Sequence, residues 1–111
     1  MIVGLTTYIW RSFMIIQVIG QSFDVGESLT EYVKSSIQKK VEKYNLDIIS
    51  MNVVFSSAPH KKVSASIRAQ IKGSEIFAKA EDDDAYLAFN AGIADVETQI
   101  IKISEKEKFH K

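Results

Sequence analysis

The chain has no cysteine, so neither a disulfide framework nor a thiolate metal site can form, which suits a reducing compartment. Histidine is nearly as scarce. His60 and His110 are the only two and lie far apart, so a histidine-built metal centre or a Ser-His-Asp triad is poorly supplied. There is no nucleophile elbow, no phosphate-cradling glycine loop and no HExxH motif, and no catalytic set is expected. No apolar run is long enough to span a bilayer. Residues 1–13 are apolar but short, and they lack the basic start of a secretory signal peptide. Net charge is absent too, with 14 basic residues balancing 14 acidic ones.

The sum hides a polarised distribution. Residues 33–72 carry eight basic side chains against Glu42 and Asp47, a net +6. Residues 73–97 carry seven acidic side chains against Lys79, a net −6. A chain so divided can turn a basic face to a polyanion while staying neutral overall. The plainer alternative is two solvated blocks that partly pair with each other.

Of 111 residues, 46% are hydrophobic, enough for one globular core. The clearest pattern lies in residues 78–109. Tyr86, Phe89, Ile93, Val96, Ile100 and Ile103 recur at steps of three and four, which predicts one stripe of a long helix. The run Glu81, Asp82, Asp83 and Asp84 precedes it. These carboxylates are expected to serve the free N–H groups and positive dipole end of the first turn, each worth about 0.3–1 kcal/mol, rather than to bind a metal ion.

Upstream, Met14–Ile19 is a short apolar run predicted to be a buried strand, with residues 20–26 as loop. Leu29, Val33, Ile37, Val41 and Tyr44 share a helical face with Tyr32 at its edge; Gly26 or Ser28 can cap this element, and Ser28 with Glu31 has capping-box spacing. Residues 48–56 are rich in strand formers, and the only proline, Pro59, marks a turn that also holds His60. Residues 62–72 alternate: Val63, Ala65, Ile67, Ala69 and Ile71 face one way, while Ser64, Ser66, Arg68 and Gln70 form a wet face. Gly73-Ser74 signals a hairpin into a last strand, residues 75–80. The predicted fold is α+β, β-α-β-β-β-α: a four-stranded mixed sheet with both helices on one face. The domain is expected to span residues 14–111, with 1–13 as an N-terminal extension and Met14 as an alternative start.

Three segments in this frame carry a resemblance: Phe23-Asp24-Val25-Gly26-Glu27-Ser28-Leu29 ahead of Tyr32-Val33; Val41-Glu42-Lys43-Tyr44; and Ala80-Glu81 followed by Asp84-Ala85-Tyr86-Leu87-Ala88-Phe89. In order and spacing they resemble the ribosome hibernation promoting factor family, also called ribosome-associated inhibitor proteins. The resemblance covers about residues 14–108. It implies a cytoplasmic, non-enzymatic short form without a C-terminal dimerisation domain, monomeric off the ribosome. Its partner would be the small ribosomal subunit and its RNA near the decoding region, where it would block messenger and transfer RNA. No cofactor, metal, membrane or small-molecule substrate is implied. The basic positions carried over are Lys39 and Lys43 on the first helix and Lys102 on the second, with Lys40 and Lys106 close by. Ser36, Asp95 and Thr98 stand where relatives place basic residues. Those departures sustain an alternative, a regulatory protein-interaction domain of the same fold that has lost RNA binding.

Overall fold

The computed structural model describes residues 15–41, 48–71 and 73–109, and for Val41 and residues 104–109 the backbone alone. The elements run β1 (Ile15–Gln21), α1 (Gly26–Val41), β2 (Ile48–Ala58), β3 (Lys62–Ile71), β4 (Ser74–Asp82) and α2 (Ala85–Phe109). This is the expected α+β order.

The strands lie in the order β1-β2-β3-β4. β1 and β2 are parallel, as the helical crossover between them requires, and the other two pairs are antiparallel. Strand alternation then gives each sheet face its own rows. Ile16, Met51, Ala69 and Ile76 line up across the four strands, as do Val18, Val53, Ile67 and Ala78. Against them pack Leu29, Val33 and Ile37 of α1 and Ala85, Ala88, Phe89, Ile93, Val96 and Ile100 of α2. Each large side chain buried here contributes about 1.5–3 kcal/mol. Both helices therefore cover one face of the sheet.

The departures from expectation are local. β1 is an edge strand, half-buried: Ile15 and Ile19 remain exposed on the uncovered face, and the strand continues through Gly20 and Gln21. Gly20 ends that run at a close approach, since a Cβ there would collide with the carbonyl oxygen of Phe23. α1 begins at Gly26, the earlier of the two expected start positions, so Ser28 lies inside its first turn. The second hairpin pairs Ile71 with Ser74, so Ser74 belongs to β4 and not to the turn, and Gly73 before it has φ 84°.

The acidic run is also redistributed. β3 pairs with β4 as far as Val63 opposite Asp82, so Glu81 and Asp82 are strand residues. Asp83 turns to Lys62, whose Nζ donates to Asp83 Oδ1 at 2.8 Å. That bond, with the field of Asp83 and then of Asp82 and Glu81, raises the Lys62 pKa above its ordinary value. Asp84 alone caps α2: its Oδ1 accepts from the Leu87 N–H at 2.9 Å.

The first hairpin turns on His60 and Lys61, both with positive φ (63° and 61°), a type I′ geometry that usually selects Asn-Gly. On the uncovered face, Arg68 stands 5.2 Å from the Phe77 ring centroid and 3.6 Å from Glu75. Ser64, expected to be wet, is only 3% exposed, and its Oγ has no hydrogen-bond partner among the described residues. A short side chain on an inner strand does not rise above Ser56 and Glu81, its neighbours on either side.

Candidate nucleic-acid interface

β2 and β3 are antiparallel, as are β3 and β4, so β4 points the same way as β1, and each of those strands hands the chain to a helix on the same face. α1 and α2 consequently run parallel. Four contacts fix their alignment. Near the N-terminal ends, the Tyr32 ring meets Tyr86 edge-on at 5.0 Å and Phe89 at 6.0 Å. The Tyr32 hydroxyl donates to Asn90 Oδ1 at 2.8 Å. At the other end, Lys40 Nζ lies 3.5 Å from Glu97 Oε1. Tyr86 is therefore an exposed member of an interhelical seam and not part of the buried stripe; Phe89 takes the core position.

The seam orients the basic side chains. Residues 32, 36 and 39 follow one another at helical spacing, so Lys39 shares the α1 flank on which Tyr32 meets α2. Lys39 is exposed there, in the last turn of α1 beside Lys40. Cations in that turn are favoured by the negative end of the helix dipole, so part of their stabilising role is local. Lys102 is exposed on α2. It lies five residues beyond Glu97, roughly 7.5 Å along the axis and about 140° around it, nearly opposite the buried stripe of Ile93, Val96 and Ile100 and so on the outer face of α2. Lys106 lies within α2, but its side chain is outside the described residues, and Lys43 is outside them altogether.

Among the described cations, Lys39 and Lys40 border the seam, and Lys102 lies on the outer face of α2. Lys40 is held by a carboxylate. Asp95 is exposed on α2, and Thr98, also exposed, turns its Oγ1 back to the Ala94 carbonyl at 3.1 Å. The pairing of the two charge blocks is visible directly. Lys40–Glu97, Lys62–Asp83 and Arg68–Glu75 each join a base of residues 33–72 to an acid of residues 73–97. Glu97 is the residue that sequence reasoning left without a role. Its sign opposite to the basic end of α1 was a signal, but the partner depends on how α2 is rotated against α1.

A cleft of about 570 Å³ lies along the start of α1, lined by Glu27, Ser28, Glu31, Tyr32 and Ser35. It is wide open and acidic, unsuited to a polyanion.

Residues 16–108 match the family model described as sigma 54 modulation protein / S30EA ribosomal protein. The ribosome hibernation promoting factor of Azotobacter vinelandii is 30% identical over 95 residues, 85% of this chain and 86% of that protein. That of Pseudomonas putida is 30% identical over 96 residues, 86% of this chain and 91% of the relative. Among solved structures, the N-terminal domain of Thermus thermophilus Protein Y superposes with a TM-score of 0.71 at 25% identity, covering 80% of this chain and 97% of that one. A ribosomal subunit interface protein from Coxiella burnetii gives 0.68 at 28% identity, covering 81% and 97%.

Proposed function

For a chain that belongs to the sigma 54 modulation protein / S30EA ribosomal protein family, we propose a hibernation factor that binds the small ribosomal subunit through RNA phosphates near the decoding region. It works in the cytoplasm and excludes messenger and transfer RNA by occupying their path, without chemistry. The observation that carries this reading is the 30% identity to ribosome hibernation promoting factors along most of the chain. Exposed Lys39 and Lys102 on the helix layer support it. Flexible ammonium groups suit phosphate contact without base reading. Lys40, Lys43 and Lys106 complete the proposed contact set.

The test is cosedimentation with small subunits in a sucrose gradient at about 50 mM salt, where phosphate-driven binding is strongest. Chemical footprinting of the bound RNA then reports the location. Protection at the decoding region is expected. Absence of cosedimentation at low salt refutes the reading.

A second reading, a protein-interaction domain without RNA binding, is favoured by Asp95, by Thr98 and by the neutralised Lys40. It predicts a pull-down that holds a single protein and no ribosomal RNA.

A further inference from the structure

We propose that Glu97 acts as an internal stand-in for an RNA phosphate: it holds Lys40 at the interhelical seam and surrenders it on binding. The inference rests on the ribosome-binding reading and adds to it a residue that restrains affinity.

The geometry assigns the role. Lys40 is in the last turn of α1, at the basic end of the helix pair, and its ammonium lies 3.5 Å from Glu97 Oε1 on the neighbouring helix. The Lys40 side chain is 33% exposed and that of Glu97 is 19% exposed, so the pair sits at the mouth of the seam, within reach of a ligand. A carboxylate oxygen and a phosphate oxygen ask the same of an ammonium group: a charge-assisted hydrogen bond from the same donor. The Lys40 ammonium faces Glu97, so drawing it onto a phosphate weakens or breaks that pair. The exchange costs the bound state the lost ion pair and leaves a carboxylate beside the polyanion. Lys39, next in sequence and exposed, has no such restraint from Glu97's helix among the described contacts. The two adjacent lysines therefore differ: Lys39 meets a phosphate without giving up a carboxylate of α2, and Lys40 meets one at the expense of its pair with Glu97.

The experiment is a double-mutant cycle on Glu97→Gln and Lys40→Ala, with binding to small subunits followed by cosedimentation across a salt series. Glutamine keeps the length of the side chain and removes the charge. Glu97→Gln is expected to tighten binding about two- to five-fold at low salt, the range of a partly exposed ion pair. It should also steepen the salt dependence by slightly less than one unit, because no carboxylate is left to take up a cation when Lys40 turns to the phosphate. In the Lys40→Ala background the same change should gain little. Thermal melts on all four proteins set the binding temperature well below unfolding, so a less stable variant is still read.

Equal affinity of Glu97→Gln and wild type overturns the inference, as does an equal gain with and without Lys40, which would make Glu97 a mere source of repulsion. In both cases wild-type binding stands and the ribosome reading survives. Failure of the wild type itself to cosediment removes that reading, and the inference with it.

Discussion

Replacing the exposed lysines one at a time separates the two helix flanks. Lys39→Ala removes a cation beside the seam, and Lys102→Ala removes one on the outer face of α2. Each phosphate contact contributes about 0.7–0.9 to the slope of log affinity against log salt. Between 50 and 200 mM salt, a fourfold change, one contact is then worth roughly a threefold loss of binding. Lys39→Ala should lower the slope by one such unit. Lys102→Ala should do the same if the bound surface wraps α2, and nothing if only the seam faces RNA. Lys40→Ala should lower it by less than Lys39→Ala, because its charge is already matched by Glu97 at 3.5 Å. Together, Lys39→Ala, Lys43→Ala and Lys102→Ala should flatten the slope by about 2–3 units. Stability should move by no more than about 0.5 kcal/mol for Lys39 and Lys102, which are exposed and away from the core. The assay is quantitative cosedimentation at four or five salt concentrations, with a urea melt of each variant. If the triple variant binds like wild type while Arg68→Ala abolishes binding, the uncovered sheet face is the RNA surface and the helix assignment is wrong.

Asp84→Ala should destabilise by about 1 kcal/mol through loss of the Leu87 cap, and Asp84→Asn should restore most of it, as read by chemical denaturation. Ser64→Ala should be neutral or stabilising by up to about 1 kcal/mol, because it removes a buried hydroxyl without a partner; a clear loss in the same melt would reveal a hydrogen bond to that oxygen. Changing His60-Lys61 to Asn-Gly should raise the melting temperature by several degrees, since both positions have positive φ and about 1 kcal/mol moves a domain of this size by 4–8 °C; an unchanged melt would mean that these φ values carry no strain. Removal of residues 1–13, which precede the segment matched by the family model, should leave melting temperature and cosedimentation near wild type, and a large fall would place those residues in the core.

The architecture was legible because its determinants are local. Strict alternation over Val63–Ile71 can serve only a strand with two unlike faces, and residues 89, 93, 96 and 100 can serve only a helix with one buried stripe. The four apolar or alternating strand runs and two such stripes leave few ways to bury everything at once, and one sheet face under two helices is the short solution. Turn chemistry was legible to within a residue. Gly73 marked the hairpin, but the pairing of Ile71 with Ser74 decided on which side of it the loop fell.

What the sequence could not settle was set by contacts between distant segments. Glu81 and Asp82 read as helix-start anions until the length of β3 carried the ladder to Val63–Asp82 and drew them into β4. Tyr86 had stripe spacing, yet Tyr32 of the other helix held it at the seam and Phe89 took the core. The basic set was chosen by residue type and position along each helix. That Lys39 borders the seam while Lys102 lies on the outer face of α2 follows from the rotation of each helix, which for α2 the packing of Phe89, Val96 and Ile100 on the sheet determines. That same rotation brings Glu97 to Lys40. Periodicity reports which face of a helix is buried, but the azimuth of one helix relative to another is decided only when their side chains compete for the same sheet.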